Sequence, residues 1–176
     1  MGMMKHMTTL IVFVLGLVIG FVLINGRWQS YEMLFGPGDL GPVDITTLSR
    51  NKTGNDALAC PRGWCAAASD FEPPVYALKV GALAQRFAES LNAESKLEVV
   101  DNTAGGLRLR FVQYTPLMEF PDTIQVDFLS LDENRSTLAI YSRSKYGYGD
   151  MGTNLARIKR WLERLHPQEE ATGVLT

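Results

Sequence analysis

Histidine and cysteine are scarce in this chain, with two of each among 176 residues; His6 precedes the first apolar run and His166 lies near the far end. A zinc site gathers about four ligands, and two distant histidines with one cysteine pair do not supply them, so no metal and no cofactor is expected. The residue most often used as a general base is also missing from the region that reads as folded. No two carboxylates stand at a spacing that separates them from ordinary surface charge, and the chain is not expected to be an enzyme. A basic surplus is lacking as well: sixteen basic residues against nineteen acidic ones follow the first apolar run. Binding a phosphate backbone calls for a basic surface, so nucleic acid is excluded as a partner. There is no internal repeat and no low-complexity block. Neither G-x-x-x-x-G-K-[ST] nor G-x-G-x-x-G occurs between a strand and a helix, which leaves nucleotide binding unsupported.

What is present is the composition of a globular chain, 46% apolar and 20% charged, enough for one core of ordinary size. Its start departs from that average. "MTTLIVFVLGLVIGFVLI", Met7 to Ile24, is eighteen residues without a charge, about the length that spans a bilayer core as a helix. Such a run is an anchor or a secretory signal. It exceeds the usual apolar stretch of a signal and is followed by "NGRWQSYEM", which has no A-x-A cleavage pattern, so a retained anchor over 1–26 is expected. Lys5 and the terminal amine precede the span and Arg27 follows it; the positive-inside rule then points to a cytoplasmic N-terminus and a periplasmic domain at a bacterial inner membrane. Within the span Gly16 and Gly20 stand four apart, a spacing that lets a second helix approach closely. "CPRGWC" sets Cys60 and Cys65 around a Pro and a Gly. In an exported loop that arrangement closes as a structural disulfide, and it is not the C-x-x-C spacing of a redox-active pair.

Residues 27–54, rich in Gly, Pro, Asn and Asp, read as a juxtamembrane tether that becomes an ordered loop, with Trp28, Tyr31 and Phe35 suited to the membrane interface. The globular domain is expected over 55–166 and a frayed tail over 167–176. Val80, Leu83, Ala84, Phe87, Ala88 and Leu91 recur at helical spacing. Two hairpins follow: "KLEVV" and "LRLRFVQY" around "DNTAGG", then "TIQVDFLS" and "STLAIYSRS" around "LDENR". Alternation puts Leu109 and Phe111 on one face and Arg108 and Arg110 on the other, predicting a buried face and a wet one. A last helix should bury Leu155, Ile158, Trp161, Leu162 and Leu165 and expose Arg157, Lys159, Arg160, Glu163 and Arg164. The expected fold is α+β: an apolar N-terminal helix, then an antiparallel sheet of about four strands with two amphipathic helices on one face.

The corner "YSRSKYGYGDMGTN" between the last strand and the last helix holds most candidate site residues. Asp150 or Asn154 can cap the helix. Ser142, Arg143, Ser144 and Lys145, with free amides at the helix start, form a candidate anion or docking site beside Tyr141. Asp122 can pair with Arg143 or Arg157. Three blocks, "NDALACPRGWC", "FPDTIQVDF" and "YSRSKYGYGDMGTNLARIKRWLERL", resemble in sequence and order the domain-of-unknown-function family numbered 1499, over roughly Asn55 to Leu165. That resemblance singles out Asn55, Asp56, Cys60, Pro61, Cys65, Phe120, Asp122, Ser142, Arg143, Ser144, Gly147, Asp150, Asn154 and Arg157. It departs from the family pattern at Tyr114 and Thr115, where an Arg-Thr pair is expected. It implies a small membrane-linked domain and no established activity. Two functions follow as expectations: an accessory or assembly subunit of a larger membrane complex, such as a respiratory or photosynthetic one, held by the bilayer; or a periplasmic module that encloses a lipid or other hydrophobic ligand between sheet and helices.

Overall fold

A computed structural model describes residues 2–165, without the side chains of residues 2–4, 28 and 31. The interfacial placing of Trp28 and Tyr31 and the tail over 167–176 therefore lie outside what is described. Helix α1, Gly2–Asn25, contains a stretch, Lys5–Asn25, long and apolar enough to cross a membrane, and among the described residues nothing buries it. Gly26, with φ near +80°, turns the chain into helix α2, Arg27–Phe35. The region read as a tether therefore starts as a helix.

The sheet has five antiparallel strands, not four: β1 (Asp56–Ala59), β2 (Leu97–Thr103), β3 (Arg108–Tyr114), β4 (Pro121–Ser130) and β5 (Ser136–Ser144), in the order β1-β5-β4-β3-β2. The two expected hairpins are β2–β3 and β4–β5. Between β1 and β2 lies helix α3, Val80–Ser90, and after β5 comes helix α4, Thr153–Glu163. Ala88, expected in the core, is exposed on α3.

Both helices cover one face of the sheet. Leu83 and Phe87 of α3 and Ile158, Trp161 and Leu162 of α4 pack onto Leu109, Phe111, Ile124, Val126 and Ile140. Phe87 and Phe111 each meet Trp161 edge-on, with ring centroids 5.9 Å apart, the geometry that aromatic quadrupoles favour. Side chains fill the middle of this interface, and at its edge a cleft of about 340 Å³ opens between the end of α3 and strands β2 and β3, lined by Leu91, Leu97 and Phe111.

The opposite face is not wet. Residues 38–48 run across it, and the polar residues that alternation places there bind the backbone of that strandless segment. Gln125 accepts from the Val43 amide (2.9 Å) and donates to its carbonyl (2.7 Å), and Thr123 accepts from the Leu40 amide. Arg110 pairs with Asp39 and Asp101, and Arg108 with Asp127. Ile45, Leu58, Ala139 and Tyr141 form a second, smaller apolar cluster beside Cys60. The cysteines are joined: Cys60 and Cys65 form a disulfide with a Cα–Cα distance of 6.3 Å.

Among the described residues two buried polar atoms have no partner, the Tyr76 hydroxyl and Trp161 Nε1. Burial pushes the Tyr76 pKa up to about 12. An unsatisfied buried hydroxyl is costly, so Tyr76→Phe is expected to raise stability by about 1 kcal/mol, the low end of that cost. The midpoint of chemical unfolding measures it; a fall would mean that the hydroxyl has a partner in solution.

Candidate functional site

Strand alternation and register assemble the corner. On the helix-covered face Gln113 lies opposite Asp122, and Asp122 opposite Ser144. The Ser144 amide donates to the Asn55 carbonyl at 3.0 Å, which extends the row to the residue before β1. A polar row thus crosses the sheet near its end, one step beyond the apolar core. Helix α4 lays Asn154 and Arg157 over it, because both share the stripe that carries Ile158, Trp161 and Leu162.

Arg157 is therefore buried, only 3% exposed, where the sequence predicts exposure. Its Nη2 pairs with Asp122 Oδ2. Its Nε donates to Gln113 Oε1 (2.6 Å), and its Nη1 to Ser142 Oγ (2.8 Å) and Asn154 Oδ1 (2.7 Å). Ser142 Oγ also donates to Asn154 Oδ1 at 2.6 Å. Asn154 Nδ2 donates to the Asn55 carbonyl (3.1 Å) and to Ser144 Oγ (3.0 Å). Asn55 in turn donates to the Gly147 carbonyl at 3.0 Å, fixing the bend. Of the two partners considered for Asp122, the fold selects Arg157. The N-cap of α4 is Gly152; Asp150, two residues earlier, accepts from the backbone amides of Gly152 (2.9 Å) and Asn154 (2.8 Å), and the Asn154 side chain plays no part in capping.

Arg143 and Lys145 point away from this network, so the four residues read as an anion cradle do not converge. Arg143 donates to the Leu40 and Gly41 carbonyls, and Lys145 Nζ donates to the carbonyls of Phe35, Gly36 and Pro37 at 3.0, 2.8 and 2.6 Å. Both fasten the chain leaving α2 to the sheet, and Lys145 satisfies carbonyls at a helix end. Asp56 and Tyr141 make a separate cluster on the same second face: the Tyr141 hydroxyl donates to Asp56 at 2.7 Å, and Arg50 pairs with Asp56. Burial works against the Asp56 charge, but bonds from Arg50, the Asn51 amide and Tyr141 hold its carboxyl below its ordinary value.

The match to known families can now be set on this geometry. The profile described as protein of unknown function (DUF1499) matches residues 48–165. The chain belongs to the DUF1499 family. No curated protein matches it. The DUF1499 region takes in every strand, α3 and α4, and so contains the whole Arg157 network. Helices α1 and α2 lie ahead of it.

Two clefts open beside the network of this DUF1499 domain. One, of about 480 Å³, has Asp122 and Ser144 among its lining and is otherwise mostly apolar, with Leu117, Met118, Phe120 and Tyr146. The other, of about 420 Å³, is lined by Glu94, Arg157, Arg160 and Arg164. They share Thr115, Pro116 and Thr153. Sequence reasoning did not find Glu94, which accepts from Gln113 (2.6 Å) and pairs with Arg160 and Arg164. Burial raises its pKa, but the bonds from Arg160 and Gln113 and the two arginine charges outweigh burial and bring it to about 2. The sign follows from that depression. Glu94 contributes stability above its ordinary value of 4.5, and loses it as pH falls toward 2. A thermal-unfolding series over that window should show a smaller acid loss in Glu94→Gln than in the parent; equal losses would remove Glu94 from the acid transition.

Proposed function

We propose that the chain is a single-pass, membrane-anchored accessory or assembly subunit of a larger membrane complex, of the respiratory or photosynthetic kind, with no catalysis of its own. In this reading α1 crosses the bacterial inner membrane with its N-terminus in the cytoplasm, and the DUF1499 domain stands in the periplasm. The observation that carries it is the inward turn of the corner: Asp122, Ser142, Asn154 and Arg157 are all buried and bonded to one another. Such a network fixes the shape of the corner and holds its polar groups in bonds to one another. Exposed apolar side chains stand at one side of it: Leu117, Tyr148 and Met151 are exposed by 74%, 91% and 103%.

The anchor adds a second contact surface. A Cβ placed on Gly16 or Gly20 would meet nothing within 4 Å, so the small-residue face of α1 is open to another helix. Gly16→Leu/Gly20→Leu should reduce recovery of the partner complex after mild detergent extraction while the soluble part of the protein keeps its fold. Unchanged recovery would remove the anchor from the contact.

A further inference from the structure

The apolar cleft and the arginine-lined cleft lie on either side of one loop, residues 115–119, and that loop is tied to the end of the anchor. Arg27, two residues after α1, donates from Nη1 to the Leu117 carbonyl at 2.7 Å and pairs with Glu119 at 3.4 Å. If α1 spans the bilayer as read above, these contacts hold the loop, and both cleft mouths, at headgroup level.

The charges there are unequal. Lys96 also pairs with Glu119, at 2.8 Å, so that carboxylate is shared by two cations. Glu94 is likewise shared by Arg160 and Arg164. Asp122 is matched by Arg157, and Asp150 is engaged by the first amides of α4. In the arginine-lined cleft itself, Arg160 and Arg164 face the single carboxylate of Glu94, one cation more than it balances. Arg27, Lys96, Arg160 and Arg164 keep 34–49% of their side-chain surface in solvent, enough to meet a ligand with their remaining donors. A small-molecule pocket is mostly apolar with a few polar groups that orient its ligand; here the two properties are divided between adjoining clefts.

We infer that the paired clefts hold one anionic phospholipid drawn from the bilayer. Its acyl chain lies among Leu117, Met118, Phe120 and Tyr146, and its phosphate lies against Arg160 and Arg164. The ligand is amphipathic because the site is: a fatty chain alone leaves the second arginine at Glu94 unmatched, and a free phosphate leaves the apolar cleft unfilled. The inference rests on the anchor reading but not on the presence of a partner complex.

The test reconstitutes the full chain in phosphatidylcholine vesicles that carry either phosphatidylglycerol or phosphatidylcholine with a diazirine on one acyl chain. Peptides labelled by light are mapped by mass spectrometry. The expected result is label on residues 115–122 and 144–153 as well as on α1, stronger from phosphatidylglycerol. Arg164→Gln, which leaves Arg160 to balance Glu94, should lower that preference roughly fivefold, the effect of about one cation at an anionic surface. Met118→Asp, on an exposed loop, should remove the cleft label and keep that on α1. Label on α1 alone, a cleft label equal for the two lipids, or one indifferent to Met118→Asp overturns the lipid site while leaving the anchor standing. Absence of label from α1 overturns the anchor reading and the site together.

Discussion

Replacing Arg157 with alanine is expected to lower the unfolding free energy by about 3–5 kcal/mol, the usual cost of breaking a buried ion pair from one side. The loss is large because of what stays behind. Asp122, 2% exposed, would lose its cation, and Gln113, Ser142 and Asn154 would each lose a donor. Arg157→Lys should recover only part of the loss, since an ammonium cannot reach Gln113, Asp122 and the Ser142–Asn154 pair with a planar fork. Removing both charges, as Asp122→Leu/Arg157→Met, should restore most of the stability, because a buried ion pair is worth little against apolar packing of similar volume. Urea unfolding of the full chain in detergent micelles, read by tryptophan fluorescence, compares the four proteins. A double variant as unstable as Arg157→Ala would mean that the hydrogen bonds, not the ion pair, hold the corner.

The second large effect is at Trp161. It is wholly buried and meets Phe87 and Phe111 between the two helices and the sheet. Trp161→Ala should cost about 3–5 kcal/mol through lost contact and the cavity left behind. Trp161→Phe should cost far less than its loss of volume suggests, since it also removes an indole N–H that has no partner among the described residues. The same unfolding assay, read by circular dichroism for these variants, checks the order. Equal losses in the two would show that the indole N–H is satisfied in solution.

The parts legible in the sequence are those where one physical pattern dominates. Alternation over 108–111 and 124–128 places both hairpins, and the 3.6-residue stripe places Leu83 and Phe87 on α3. Strand β1 escapes because Asp56–Ala59 is four residues long, too short for a period to show, and follows a stretch rich in turn residues. The second face reads as wet because Arg110, Gln125 and Asp127 are polar; Gln125 binds the Val43 backbone, Arg110 pairs with Asp39 and Asp101, and Asp127 with Arg108, and the covering residues 38–48 carry no hydrophobic period of their own. The pairing of Asp122 with Arg157 is among the expected ones, but the burial of Arg157 is missed because charge alone suggested exposure. Spacing held the better signal: Asn154, Arg157, Ile158, Trp161, Leu162 and Leu165 form one stripe, and a charged residue on a buried stripe implies a buried partner. Asp122 was the carboxylate to match it.

The most direct test of the subunit reading is gentle extraction of native membranes carrying the protein tagged at Thr176, followed by native electrophoresis and mass spectrometry of what travels with it. The account predicts co-migration with a larger membrane complex at fixed stoichiometry, lost in Gly16→Leu/Gly20→Leu. Migration of the 19.5 kDa chain alone, unchanged by those substitutions, would contradict it.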